Sequence, residues 1–139
     1  MSRPRFHLAF PVHDLASARA FYTGLLGCAE GRCSPDWVDF DFFGHQIVAH
    51  LSPNASADKA HNLVDGEEVP VRHFGAILPM HDWRALADRL KNANVTFLIE
   101  PGTRFAGEPG EQATFFLRDP SGNALEFKAF GDEDGIFAK

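Results

Sequence analysis

Two short segments of this chain match each other, FPVHDL at Phe10–Leu15 and LPMHDW at Leu78–Trp83, and similar patterns surround both. Each segment follows a strand-like run and leads into apolar residues with the spacing of an amphipathic helix. A pattern that occurs twice along a chain indicates a repeated supersecondary unit. We therefore predict an internal duplication.

The first copy reads as one strand, one helix and then further strands. Its alternating apolar and acidic residues have the period of a strand with one solvent-facing side. The predicted elements are a strand over Phe6–Val12, an N-cap at Asp14, a helix closed by Gly27, a strand over Trp37–Phe43, a turn at Gly44 and His45, and a strand over Gln46–Leu51.

The second copy repeats this order. The predicted elements are a strand over Val71–Leu78, a helix after Asp82, a strand over Val95–Ile99, a Gly/Pro-rich excursion over Pro101–Gly110, and strands over Ala113–Leu117 and Leu125–Phe130. Between the copies, Ser52–Pro70 shows little periodicity and is predicted to be a long connecting loop.

These elements predict a single α+β domain over residues 1–139 made of two βαβββ modules. Module one is expected at about 1–53, a linker at about 54–70, module two at about 71–131 and an acidic tail at 132–139. We expect the modules to form a cupped mixed sheet, with the functional site in the concavity.

The composition excludes several classes of function. The chain has no apolar run near the ~20 residues that a transmembrane helix needs, and no secretory signal is recognised at its start, so we expect a cytoplasmic protein with no membrane contact. A net charge of −6 without a basic stripe argues against nucleic-acid binding. Cys28 and Cys33 have the spacing of neither a redox pair nor half a zinc site, and are expected to be reduced thiols near a turn.

Three of the seven histidines, His7, His50 and His73, fall in predicted strands. His7 and His73 each lie in the first strand of their copy, and Glu126 lies in the last strand of the second copy. Two imidazoles and one carboxylate on rigid strands can form a facial triad for Fe(II), Mn(II) or a similar ion. Spacing alone leaves this open, because three such residues far apart in sequence occur in many chains.

The sequence also resembles a known superfamily. FHLAFPVHDLASARAFYTGLLGC (Phe6–Cys28) resembles the opening of a vicinal oxygen chelate module, and FFLRDPSGNALEFKAF (Phe115–Phe130) resembles its closing hairpin. The superfamily includes glyoxalase I, extradiol ring-cleaving dioxygenases, methylmalonyl-CoA epimerase and fosfomycin-resistance thiol transferases. The resemblance implies a divalent metal ion bound by His7, His73 and Glu126, with Fe(II) favoured and Mn(II), Ni(II) or Zn(II) as alternatives. It also implies a homodimer.

One feature of the copies disagrees with this ligand set. His7 precedes Asp14 by seven residues, whereas His73 precedes Asp82 by nine. Aligned on the aspartates, Gly75 and not His73 is the strict equivalent of His7. An offset of two residues keeps the same strand face, so His73 is retained as the predicted ligand.

A fourth ligand is common in the superfamily, and the corresponding residue here, Val48, cannot bind a metal. Gln46 and His50 share the face of Val48. Gln46 is predicted to contact the substrate. His50 is predicted to act as an acid or base beside the metal, in preference to a fourth ligand, and the alternative is a strand-end histidine that faces solvent.

The excursion PGTRFAGEPGEQ (Pro101–Gln112) is expected near the mouth of the cup. Arg104 and Gln112 are predicted to bind substrate, since an arginine can hold a carboxylate or enediolate through two hydrogen bonds. The alternative for Arg104 is a solvated loop side chain.

With three ligands, the set resembles the iron-dependent dioxygenases more than glyoxalase I. We therefore predict an extradiol-type dioxygenase that acts on a small molecule with two neighbouring oxygens. The alternatives are a glyoxalase-like lyase or isomerase, a thiol transferase, and a metal-free binding protein like the bleomycin-resistance proteins.

Overall fold

The computed structural model describes residues 3–55, 61–64 and 67–137. The chain divides into two compact units, one of Met1–Ala57 with Asp119–Asn123 and the other of Asp58–Arg118 with Ala124–Lys139. Each unit is built around one four-stranded mixed sheet, as the predicted duplication of a βαβββ module requires.

The first unit has the strand order β1-β4-β3-β2, in which β1 and β4 are parallel and the other pairs are antiparallel. Its elements are β1 (His7–Val12), helix α1 (Leu15–Arg19), a π-helical continuation (Ala20–Leu25), β2 (Ala29–Ser34), β3 (Trp37–Phe42) and β4 (His45–Leu51). Asp14 caps the helix as predicted, because its Oδ2 accepts a hydrogen bond from Ser17 N at 2.8 Å.

The core of this unit lies between one face of the sheet and the helix. The ring of Tyr22 is fully buried, stacks on Phe40 at 5.1 Å and lies 5.4 Å from Phe10. Its hydroxyl donates to Asp119 Oδ2 at 2.8 Å, and burial raises the pKa of Tyr22 well above its ordinary value. The opposite face of the sheet therefore remains for polar side chains.

The second unit has the strand order β7-β10-β9-β8, with β7 and β10 parallel and the rest antiparallel. Its elements are β5 (His61–Val64), β6 (Glu67–Pro70), β7 (His73–Ile77), α2 (Met80–Asn92), β8 (Ile99–Arg104), β9 (Gln112–Arg118), β10 (Ala124–Phe130) and a 3-10 turn (Glu133–Phe137). Helix α2 buries Trp83, whose Nε1 donates to Phe127 O at 2.9 Å, so the helix is fixed on one face of the sheet.

Two predicted segments were wrong. The segment predicted as a connecting loop contains the antiparallel pair β5–β6. The strand predicted over Val95–Ile99 instead begins at Ile99 and continues to Arg104, with a register shift between Ile99 and Gly102. Pro101 is tolerated because β8 is an edge strand.

Two smaller boundaries also moved. The turn before β4 is formed by Phe43 and Gly44, both with positive φ, and His45 already begins the strand. Helix α2 begins at Met80, before Asp82. Cys28 and Cys33 are free thiols as predicted, although Cys33 lies within β2.

None of the helices in the described ranges is long and apolar enough to cross a bilayer.

Candidate functional site

The register of the two sheets defines which residues are equivalent in the duplication. His7 lies opposite Gln46 in the β1–β4 pair, and His73 lies opposite Ala124 in the β7–β10 pair. Gln46 and Ala124 each follow the turn glycine of their hairpin by two residues. His7 and His73 are therefore equivalent, and the expectation that Gly75 matches His7 was wrong, because helix α2 begins earlier relative to its aspartate than α1 does.

Gly75 has a different role, which is steric. It lies opposite Glu126, and a Cβ placed on it would be 1.5 Å from Glu126 O. No side chain fits there without displacing β10. The equivalent of Glu126 in the first unit is Val48, which lies opposite Ala9 and is buried.

The structure brings His73 and Glu126 together. His73 Nε2 lies 3.2 Å from Glu126 Oε1, and His73 Nδ1 lies 2.6 Å from Pro70 O. A carbonyl can only accept, so Nδ1 carries the proton, and in the neutral ring the lone pair of Nε2 points at the carboxylate. Two acceptors this close require a positive charge between them, either a proton or a metal ion.

Glu126 is held on its other side as well. Its side chain is only 9% exposed, and Oε2 accepts a hydrogen bond from Thr114 Oγ1 at 2.5 Å. Burial alone would raise the pKa of Glu126, but the hydrogen bonds from His73 and Thr114 outweigh it and lower the pKa overall. The hydrogen bond to Glu126 raises the pKa of His73 against the effect of its burial, and the bond to Pro70 adds to the rise. These two directions favour His73 over Glu126 as the site of the shared proton in the metal-free protein.

These two residues fit a divalent metal ion. An imidazole nitrogen and a carboxylate oxygen are suitable donors, and each is oriented by a second hydrogen bond, to Pro70 O and from Thr114, as metal ligands commonly are. Over the described part of the chain, no group of three or more His, Cys, Asp or Glu side chains has the arrangement of a metal site. The second unit thus supplies two donors, and the third predicted ligand, His7, belongs to the first unit.

A cavity of about 200 Å³ lies beside this pair, so a small ligand can reach it. It is lined by His73, Phe74, Gly75, Ala76, Ile77, Glu126 and Lys128.

His7 is oriented through a chain of hydrogen bonds in the first unit. Its Nδ1 lies 2.8 Å from Gln46 Oε1, and Gln46 Nε2 donates to Asp39 Oδ2 at 3.1 Å. The carboxylate can only accept, which fixes the Gln46 amide and makes His7 Nδ1 the donor. His7 is exposed, and this tautomer leaves Nε2 available to bind a ligand.

Asp39 and a second cavity were not predicted from the sequence. Asp39 is buried, and its Oδ1 has no hydrogen-bond partner within the described ranges. The sequence indicated a polar face here only through the alternation of acidic and apolar residues in β3, at Asp39 and Asp41. The cavity has a volume of about 270 Å³ and is lined by Arg5, Gly31, Asp39, Phe40, Asp41, Gly44, His45 and Gln46.

His50 lies on the same strand as Gln46 but farther along it. It is exposed and pairs with Pro11 on β1 and Trp37 on β3. Four residues of strand correspond to about 13 Å, so His50 does not join the chain from His7 through Gln46 to Asp39. Its predicted role as an acid or base stays a prediction.

Arg104 and Gln112 are strand residues, and the alternative of a solvated loop arginine was wrong. Arg104 ends β8, Gln112 begins β9, and the two are opposite each other. Both are buried. The guanidinium carbon of Arg104 lies 5.6 Å from the centre of the Phe116 ring, and Gln112 Nε2 donates to Gly110 O at 3.0 Å.

Comparison with known proteins gives a consistent family and fold. Residues 6–127 match the family model described as Glyoxalase/Bleomycin resistance protein/Dioxygenase superfamily. No curated protein sequence matches the chain.

Several solved structures are similar. A glyoxalase/bleomycin resistance protein/dioxygenase from Alicyclobacillus acidocaldarius is 38% identical, with a TM-score of 0.81 and coverage of 96% of both chains. A genomically encoded fosfomycin resistance protein from Listeria monocytogenes is 15% identical, with a TM-score of 0.69 and coverage of 99% of this chain and 100% of the other. A lactoylglutathione lyase from Agrobacterium tumefaciens is 18% identical, with a TM-score of 0.63 and coverage of 93% and 94%. The last two similarities establish the fold alone.

Proposed function

Because the chain belongs to the glyoxalase/bleomycin resistance protein/dioxygenase superfamily, we propose that it is a metal-dependent enzyme of the extradiol-dioxygenase type. His7, His73 and Glu126 are the proposed ligands, and Fe(II) is the favoured ion. The observation that carries the proposal is the pair His73 Nε2 and Glu126 Oε1, two acceptors 3.2 Å apart that the protein orients from both sides. Superfamily members commonly use divalent metal ions.

The number of protein ligands supports a dioxygenase over a glyoxalase-like lyase. By sheet register Val48 occupies the position of Glu126, and an aliphatic side chain cannot supply a fourth donor. A divalent ion bound here would act as a Lewis acid on two neighbouring oxygens of the substrate. Three protein ligands leave more coordination positions for that substrate than four would.

The protein's own groups are arranged to hold the donors in fixed orientations. Pro70 O holds the proton of His73 on Nδ1, and Thr114 Oγ1 holds one oxygen of Glu126 so that the other remains turned toward His73. Gln46 fixes His7 in the same tautomer. His50 is the proposed acid or base, and Gln46 and Gln112 are proposed substrate contacts.

Metal content tests the proposal directly. We expect about one divalent ion per chain in protein purified without chelator, and reduced binding of added Fe(II) in His7→Ala, His73→Ala and Glu126→Gln. His81→Ala and Glu100→Gln are matched controls, because both residues are exposed and outside the proposed site. Absence of metal, together with no binding of added Fe(II), Mn(II), Ni(II) or Zn(II), would overturn the proposal and favour a metal-free binding protein.

Reaction type is tested separately on the iron-loaded protein. We expect oxygen uptake that depends on a catechol and stops in Glu126→Gln. Metal binding without oxygen uptake would contradict the dioxygenase assignment. In that case turnover of methylglyoxal with glutathione, or of glutathione with an epoxide, would identify the lyase or the thiol-transfer alternative.

Two further properties are proposed on the resemblance alone. We propose that the protein is a homodimer, which light scattering after size-exclusion chromatography tests, since a mass of one chain would contradict it. We also propose that it acts in the cytoplasm, which fractionation of the native host tests.

A further inference from the structure

Arg104 has a buried hydrogen-bonding edge that is not used. Its side chain is 4% exposed, yet neither Nε nor Nη2 has a hydrogen-bond partner in the described part of the chain. These two nitrogens form one side of the guanidinium, the side that binds a carboxylate through two parallel N–H···O bonds. Buried donors without a partner are costly, so this open edge of Arg104, meaning Nε and Nη2, is suited to a ligand.

The carboxylate of Glu67 does not fill the open edge. Glu67 Oε1 lies 3.5 Å from Arg104 Nη2, too far for a good hydrogen bond, and the Glu67 side chain is 49% exposed. Glu67 belongs to the short hairpin β5–β6 and can turn toward solvent. It therefore offsets part of the positive charge of Arg104 while leaving the donors available.

The open edge is close to the proposed metal ligands. The Phe116 ring lies 5.6 Å from the guanidinium carbon of Arg104 and 5.0 Å from the ring centre of His73. The guanidinium of Arg104 and the imidazole of His73 thus flank the Phe116 ring. The distance between these two groups is at most the sum of the two distances. By register, Glu126 and Phe116 are opposite each other and on the same face of the sheet.

We propose that the open edge of Arg104 binds the carboxylate of a small aromatic acid. The ring of this substrate lies between the open edge and the proposed metal ligands, and its two neighbouring oxygens point toward His73 and Glu126. The planar edge with two donors selects a carboxylate, and the short separation selects a compact ring rather than a long chain. Only the position of the two oxygens rests on the proposed function, because carboxylate binding requires no metal. Binding displaces Glu67 from the neighbourhood of Nη2.

Benzoate is the first probe, because it carries the carboxylate and the ring without the chelating oxygens. Calorimetric titration into metal-free protein should show saturable binding that weakens about tenfold or more in Arg104→Lys, since an ammonium cannot form the two parallel bonds. Binding should strengthen several-fold in Glu67→Gln. Arg84→Lys, at an exposed position on α2, is the matched control and should bind benzoate like the wild type.

The second probe is a pair of ligands for iron-loaded protein, 3,4-dihydroxybenzoate and catechol. We expect tighter binding of the carboxylated ligand, and we expect Arg104→Lys to remove that preference while catechol binding persists. Circular dichroism and thermal melts establish that each variant is folded. If Arg104→Lys does not fold, Glu67→Gln decides, and unchanged or weaker benzoate binding in that variant overturns the inference.

The outcomes separate this inference from the proposed function. Benzoate binding that depends on Arg104, in a protein that binds no metal, would overturn the proposed function and support this inference. Metal binding with oxygen uptake, but with no benzoate binding and no preference for the carboxylated catechol, would overturn this inference alone.

Discussion

Replacing Glu126 by glutamine removes the negative charge beside His73 with little change in size. When both groups are charged, the metal-free protein has an imidazolium and a carboxylate 3.2 Å apart, with side chains 28% and 9% exposed. Hydrogen bonds between charged groups contribute about 1.5–3 kcal/mol, and the partial exposure of His73 lowers this through solvent screening. We expect Glu126→Gln to reduce the free energy of unfolding by roughly 1–2 kcal/mol at the pH where both groups are charged.

The pH dependence of this loss of stability follows from the shifted pKa values of His73 and Glu126. The pKa of His73 is raised above 6.5, so its contribution is complete below the unfolded value and disappears as pH rises through the folded value. The pKa of Glu126 is lowered below 4.5, so its contribution is present above the unfolded value and disappears as pH falls through the folded value. The difference between wild type and Glu126→Gln should therefore be largest between pH 4.5 and pH 6.5.

Urea unfolding of the metal-free protein across this range measures the difference, and NMR titration of the His73 ring measures its pKa. In Glu126→Gln we expect the pKa of His73 to fall, because its burial is then no longer outweighed by the carboxylate. Glu100→Gln, which removes an exposed carboxylate from β8, should change neither quantity. A stability difference that is the same at every pH, or a His73 pKa that is unchanged in the variant, would refute the reasoning.

Three further predictions concern the two units. Tyr22→Phe removes a hydrogen bond to the buried carboxylate of Asp119 and should lower the free energy of unfolding, measured by urea denaturation, by about 1.5–3 kcal/mol. A loss below about 0.5 kcal/mol, which is typical of a surface substitution, would contradict this prediction. Gly75→Ala places a methyl group against the backbone of β10 and should reduce the free energy of unfolding by more than the roughly 1–3 kcal/mol of ordinary overpacking. The melting temperature should therefore fall, and a melting temperature like that of the wild type would argue against the close approach of Gly75 to β10. Burial raises the pKa of Cys28 to about 11, whereas Cys33 is exposed. A thiol reagent at pH 8 should therefore modify Cys33 rapidly and Cys28 only after unfolding. Rapid modification of both cysteines in the folded protein would be inconsistent with the structure.

The duplicated fold was predictable because its signals are local. The period of apolar residues, the cap at Asp14 and the turn glycines can all be recognised within a few neighbouring residues. Prediction failed where tertiary context decided the outcome. The strand β8 crosses Pro101, and sequence rules for strands disfavour a proline unless the strand is known to lie at an edge. It also contains a register shift, which depends on its pairing with β9.

The candidate site was predictable only as a set of residue types. His73 and Glu126 were found from the duplication and the resemblance, and the structure brings them together. Thr114 was not found, because its contact with Glu126 depends on the register between β9 and β10. The burial of Arg104 was missed for the same reason, since its guanidinium packs over Phe116 on the neighbouring strand.

The two units use the same register to orient a histidine in different ways. In the second unit the acid that faces the histidine is Glu126, on the strand beside it. In the first unit the equivalent position is Val48, and the residue opposite Val48 on the next strand is Asp39.

Two carboxylates directly opposite each other on one face of a sheet repel, so an acid at position 48 would be costly while Asp39 is charged. The acid of the first unit is therefore one strand farther from His7 and acts on it through Gln46, which it holds in the orientation that makes His7 Nδ1 the donor. This arrangement gives His7 a fixed tautomer without a carboxylate beside it. The duplication thus supplies two equivalent histidines, His7 and His73, and a single glutamate, Glu126.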